Sequence, residues 1–265
     1  MRGGAQALLL ACDDGRHYVT KFVDNPQHRR ILVNEWAAKA LLEHMGIAAP
    51  EVRVVEVSPE FLCAEPEACY QLGTQRRPPR AGRQFGSQFP GNPHADAVYD
   101  FLPDTLLPSV ANLQHFAGAL VFDKWTSNSD ARQAIFFRRR LREYLDVDAP
   151  PRQKGFIAQM VDHGYVFDGP HWDFNDSPIQ GLYFRPLAYA GIRSMEQFQP
   201  WLARARTCPE SVCDAILRQM PPEWLDGEES ELEALLSRLL ERRKRIEDLL
   251  LATVRGRPQA FPDWR

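Results

Sequence analysis

The sequence predicts an α+β protein, β-rich in its first part and mostly helical after it, and its 265 residues are enough for two small lobes or one large domain. Three observations lead there. In residues 1–70 β-prone runs surround one long helical pattern, and residues 96–265 carry most of the remaining helical periodicity. Between them, residues 71–95 are rich in Gly, Pro and Arg (Arg76, Arg77, Pro78, Pro79, Arg80, Gly82, Arg83), which reads as an exposed, mobile loop.

Taken in order, Gly3, Gly4, Ala5 and Gln6 open onto a β-prone run over 7–12. Only two residues precede those glycines, so if they form a turn between strands the first strand is expected to be missing or cut away. Asp13-Asp14-Gly15 is a hairpin turn into a strand over 17–23 with Lys21 inside it. Asn25-Pro26 ends that strand, and Ile31, Leu32, Trp36, Ala40 and Leu41 share one face of a helix over 29–45 that Gly46 stops. Glu35 lies on this helix. Val52, Val54, Val55 and Val57 mark a strand, and Phe61 to Ala64 reads as another.

Further on, Tyr99 to Pro103 is a strand or a turn, and Ser109 to Trp125 a buried helix. A polar knot with Asn128, Asp130, Arg132 and Gln133 follows, then a β-prone run over 134–137. A second strand over 156–161 ends in Asp162-His163-Gly164 and is expected to pair with the first as a hairpin. Helical patterns cover 195–206 and 209–220, and Pro221-Pro222 separates them from 230–253. The leucines of that last stretch form an apolar stripe without a sustained heptad, which predicts core packing rather than a coiled coil, while Glu241 to Lys244 reads as a solvent face.

Composition narrows the function. The net charge of −3 gives no basic surplus for nucleic-acid binding, and no apolar run is long enough to span a bilayer. Five scattered cysteines without a close pair predict reduced thiols in a cytoplasm. The informative residues are polar ones set inside apolar elements. A loop fixed between a buried helix and a buried strand holds its carboxylate and amide in place, which a phosphoryl-transfer site requires, although a capped turn has the same look. A strand lysine usually points to solvent. Here it stands after a glycine turn and before a helix glutamate, an order in which the lysine would hold phosphate oxygens and the glutamate would hold the lysine. Asp162, ending a buried strand before a glycine, is placed as a metal carboxylate. A metal hydrolase built on Asp162, His163 and His171 is the weaker alternative, because those histidines lack helical i, i+4 spacing.

G-G-A-Q at Gly3 to Gln6, Y-V-T-K-F around Lys21, L-V-N-E around Glu35, D-K-W-T-S-N-S-D-A-R-Q-A-I-F around Asp130 and V-D-H-G around Asp162 together resemble the HipA-like kinase family, in particular its compact stand-alone bacterial proteins. The resemblance implies a protein-kinase-like bilobal fold, ATP with Mg²⁺, and phosphorylation of a hydroxyl of a protein Ser/Thr or a small molecule. By position it makes Asp130 and Lys21 the catalytic pair, Lys21 also the ligand of the α/β-phosphates, and Asp162 a metal ligand; Gly3, Gly4, Ala5, Gln6 and Glu35 complete the nucleotide-binding set, and the amide nearest in role for the metal is Gln133 or, on the other side, Asn128. Phe61 to Ala64 would then touch the adenine before the chain crosses between lobes. Better-known members are toxins acting on a tRNA synthetase and paired with a DNA-binding antitoxin, so an antitoxin-type partner is part of what the resemblance implies. This chain departs from them in one respect: five residues after Asp130, where those proteins have Asn, it has Ile135. That departure keeps open a pseudokinase or nucleotide-binding scaffold.

Overall fold

The computed structural model describes residues 4–265, so Gly3 lies outside the described residues. The chain is mixed α/β, with three small antiparallel sheets and several helices. β1 (Leu8–Ala11) and β2 (His17–Lys21) form the expected hairpin, closed by the Gly15 N–H donating to the Cys12 carbonyl at 3.0 Å. Gly15 has φ 76°, a left-handed turn that glycine adopts without Cβ strain. α1 (Arg30–Met45) ends at Gly46, also left-handed at φ 68°. The sequence predicted one apolar face for this helix, but Ile31, Leu32, Val33, Asn34 and Glu35 are all buried in succession. α1 is therefore covered on every side of that turn, and its two polar residues need partners inside the protein.

After β3 (Val52–Val57) the predicted strand at Phe61 to Ala64 is instead α2 (Pro59–Ala64). Ser58 Oγ accepts the Phe61 N–H at 3.1 Å and Pro59 sits at the first helical position, two start signals that outweigh β propensity in so short a run. β4 (Tyr70–Leu72) and β5 (Gln75–Arg77) make a separate hairpin, and β6 (Gly82–Gln88) enters the main sheet, whose order is β1-β2-β6-β3. The stretch expected as a mobile loop over 71–95 thus supplies an interior strand.

Its composition follows from its neighbours. Gly86 lies so close to β3 that a Cβ there would stand 2.4 Å from Val55 Cγ2. Gln84 is fully buried with both ends used, accepting the Val23 N–H and donating to the Arg80 carbonyl, each at 2.8 Å. The arginines pair with Glu67, Asp24 and Glu223 rather than marking disorder. Gly86→Ala is expected to destabilise the protein by about 1–3 kcal/mol, since buried, branched Val55 has no room to yield. Urea unfolding measures this, and an unchanged midpoint would show that the sheet opens there freely.

β7 (Val98–Tyr99), β8 (Gln133–Arg140) and β9 (Lys154–Val161) form the third sheet in that order, with β8 and β9 as the predicted hairpin and Gln133 opposite Val161. α3 (His115–Thr126) is almost wholly buried and leads into β8. The principal core joins α1 and α3 to the C-terminal helices α4 (Trp201–Arg206), α5 (Glu210–Gln219), α6 (Pro222–Leu225), α7 (Glu229–Arg242) and α8 (Ile246–Gly256). Leu232, Leu235, Leu236 and Leu239 of α7 are buried in it, as the apolar stripe predicted. Arg242 is not the solvent residue expected. It is buried, and its guanidinium donates to the Trp125 carbonyl at 3.0 Å and the Lys124 carbonyl at 3.1 Å, capping α3 from outside. Among the described residues no helix is long and apolar enough to cross a membrane.

Candidate active site

Alternation along β2 turns Val19 and Lys21 to the face opposite Tyr18, and α1 lies across that face. Lys21, the last residue of β2, is 8% exposed, and Glu35 on α1 is 4% exposed. The Lys21 ammonium donates to Glu35 Oε1 and, at 2.7 Å, to Asp162 Oδ1. Burial alone would lower the lysine pKa, but the two carboxylates outweigh it and hold the pKa above its ordinary value. Burial pushes Glu35 up, partly countered by Lys21. For Asp162 burial also pushes upward, yet Lys21, Arg132 and Gln133 prevail and keep its carboxyl below the usual range. The lysine is thus a fixed cation between two acids.

Asp162 directly follows β9 and has φ 58°, a left-handed conformation that a non-glycine residue adopts at a cost of about 1–3 kcal/mol. The turn releases its side chain toward the end of β8. There the Gln133 amide Nε2 donates to Asp162 Oδ2 at 3.1 Å and lies 3.5 Å from Asp130 Oδ2. Asp130 itself accepts the Ala131 N–H at 2.7 Å through Oδ1. Asp130, Gln133 and Asp162 therefore form one polar group beside Lys21.

The loop that carries Asp130 stands on a buried network the sequence reading did not anticipate. Asp123, near the end of α3, pairs with Arg132 across the loop, with Arg132 Nε at 2.9 Å, and both side chains are essentially inaccessible. Asn128 belongs to this network and not to the predicted metal set. It is fully buried, donates to Asp123 Oδ1 at 2.9 Å and accepts the Asp130 N–H at 3.2 Å, so neither end faces Asp162. Arg132 continues to the Val161 carbonyl at 3.1 Å and His163 Nδ1 at 3.0 Å, joining the loop to the strand end. His163 holds its other nitrogen 3.0 Å from the Met160 carbonyl, and burial together with Arg132 keeps it neutral. With both nitrogens engaged, it is no metal ligand, which removes the hydrolase reading. The signal available in sequence was an aspartate within the apolar run of α3, matched by an arginine nine residues on.

These groups open onto a cavity of about 550 Å³, within the range of small-molecule sites. Gly4, Ala5, Gln6, Lys21, Glu35, Asp130, Gln133, Ile135 and Asp162 line it. The wall beside Val19 and Lys21 is Phe85, Ser87, Gln88, Phe89 and Pro90, from β6 and the residues after it, with Phe85 paired opposite Lys21. Phe61 to Ala64, expected against the adenine, is not on this cavity. Asp130 and Asp162 offer carboxylate oxygens, and Gln133 would offer its amide oxygen after a flip. Among the described residues no three His, Cys, Asp or Glu side chains gather to hold a metal. Two carboxylates suit magnesium, which is held by one or two such groups and by substrate phosphates rather than by a protein cage.

A buried lysine clamped between acids at the base of a cleft, with a glycine-led segment along its wall, is a layout suited to phosphoryl transfer. The chain belongs to the HipA-like kinase family, whose family model matches residues 1–248. Membership brings kinase activity in general and, with it, phosphoryl transfer. No curated protein matches the chain.

Proposed function

We propose that this protein is an ATP-dependent kinase that transfers the γ-phosphoryl group to a hydroxyl, with the protein-kinase-like bilobal arrangement placing the nucleotide between the β1-β2-β6-β3 sheet and the β8–β9 hairpin. One observation carries the reading: Lys21, Glu35, Asp162, Gln133 and Asp130, far apart in sequence, meet at a single cavity. Lys21 neutralises α- and β-phosphate oxygens, and Glu35 keeps it from swinging away. The backbone of Gly4, Ala5 and Gln6 lines the phosphates' path, and the wall at Phe85 to Pro90 takes the base. Asp162 and Gln133 would hold Mg²⁺, which when bound would offset the charge on the transferring phosphoryl group. Asp130 orients the acceptor hydroxyl and accepts its proton.

Gln133 answers the departure at Ile135, because it supplies an amide at the place where Asp130 and Asp162 converge. For the acceptor, a protein Ser/Thr fits best. Phe184 is 76% exposed and Phe101 57%, and the segment leading to Phe184 is bonded to the Asp130 loop through the Gly181 N–H and the Asp130 carbonyl at 2.9 Å. These two exposed rings would give a macromolecular acceptor apolar points of contact that a small polar one does not need.

Thermal unfolding with ATP tests the reading. ATP with Mg²⁺ is expected to raise the Tm, by an amount that grows with ligand concentration, and Lys21→Met should reduce the rise. Absence of any magnesium-dependent shift in the wild type would refute a nucleotide site here. A shift without incorporation of labelled phosphate into any acceptor would favour the scaffold reading, which rests on Ile135.

A further inference from the structure

The residue before Glu35 has no part in the chemistry described so far. Asn34 is fully buried, and its Nδ2 gathers three backbone carbonyls from the segment after Asp162: Gly164 at 2.7 Å, Val166 at 3.1 Å and Gly169 at 2.9 Å. Its Oδ1 accepts the Trp172 indole N–H at 2.9 Å. Both N–H groups, serving three carbonyls between them, and one lone pair of the oxygen are thus spent on residues 164–172. The same face of α1 adds two further holds. Arg30 donates to the Pro170 carbonyl at 2.7 Å and lies 4.1 Å over the Trp172 ring. Ile31 packs so closely on Gly164 that a Cβ there would stand 2.6 Å from its Cγ2.

The segment so gripped is not one that would keep its shape unaided. Phe167, Asp168 and Trp172 have φ of 60°, 57° and 54°, and Asp162 has 58°. Left-handed residues in such number persist only where surrounding structure fixes them. The carbonyls Asn34 collects lie among these strained residues. One turn of α1 therefore sends Glu35 to Lys21 and Asn34 to the chain that carries Asp162.

We propose that Asn34 is a positioning residue that fastens α1 to the segment after Asp162, so that the Lys21–Glu35 pair and the Asp162 carboxylate are set as one unit. The proposal rests on the kinase reading above. It makes the helix a fixed part of the site rather than an element that swings Glu35 in and out. Asn34 touches neither nucleotide nor metal and acts through the placement of Asp162.

The test follows the Mg²⁺ concentration needed for half of the ATP-dependent Tm rise, read on the full chain. Asn34→Leu keeps the volume and removes the bonds, and is expected to raise that concentration about tenfold or more, as loss of an outer-shell partner does. ATP binding without Mg²⁺ should change less than about twofold, a range set by the indirect role. Leu250→Ala, a core truncation in α8, gives a comparison protein with lowered Tm but unchanged Mg²⁺ half-saturation. If Asn34→Leu does not fold, Trp172→Phe keeps a ring beneath Arg30, removes the bond to Oδ1, and should shift half-saturation in the same direction by a smaller factor. A folded variant at either position with wild-type half-saturation, or with a shift no larger than that of Leu250→Ala, overturns the proposal alone. A wild type without magnesium-dependent stabilisation overturns the kinase reading as well, and so separates the two failures.

Discussion

Asp130→Asn is expected to lower phosphoryl transfer by about three orders of magnitude while leaving ATP affinity within about threefold, because a proton acceptor acts in the transition state and not in binding. Asparagine keeps the bond from the Ala131 N–H and the loop geometry, so the loss isolates the carboxylate. Asp162→Asn should lose as much transfer but also weaken magnesium-dependent binding, since it removes the negative charge that would face the metal and that pairs with Lys21. Single-turnover measurement with labelled ATP separates the two. Equal transfer by Asp130→Asn and wild type would remove Asp130 from the chemistry. The converse pattern, with Asp130→Asn losing ATP affinity and keeping its rate, would make it a nucleotide ligand.

Breaking the Asp123–Arg132 pair is the change with the largest expected effect on stability. Both side chains are almost completely inaccessible, and Arg132→Met leaves the Asp123 carboxylate buried with Asn128 as its remaining side-chain hydrogen-bond donor among the described residues. Removing one partner of a buried pair costs about 3–5 kcal/mol, most of it the desolvation of the charge left behind. Asp123→Leu combined with Arg132→Met should therefore be less destabilised than Arg132→Met alone, because no uncompensated charge remains. Urea unfolding of the single and double variants decides it. A loss under about 1 kcal/mol in Arg132→Met would mean that water reaches the pair in solution.

The parts of the site that could be read in the sequence were polar residues inside strongly apolar elements. Lys21, Glu35 and Asp162 belong to this class, because burial without partners is too costly for such groups and three of them imply one another. The β8–β9 hairpin was legible for a similar reason, since its alternation and length left few other ways to pair. What could not be read depended on contacts between distant segments. Nothing in G-R-Q-F-G-S-Q over 82–88 shows that Val55 and Tyr18 will press on Gly86, so the demand for glycine looks like a demand for flexibility. Arg242 sits in a charged run and is indistinguishable there from its solvated neighbours until α7 lies against the end of α3. Asn128 failed in the opposite direction. An amide beside an aspartate looks like a ligand, and only the position of Asp123 reveals that it braces the loop from below.

The place of β6 bears on how the protein comes into being. The strand arrives after β1, β2 and β3 have been made, yet it belongs in the middle, between β2 and β3. Until residue 88 is available, both neighbours carry bare edges, and the wall that ends at Pro90 does not exist. A fragment stopped before residue 82 would accordingly be a sheet without its keystone, prone to recruit a strand from another molecule.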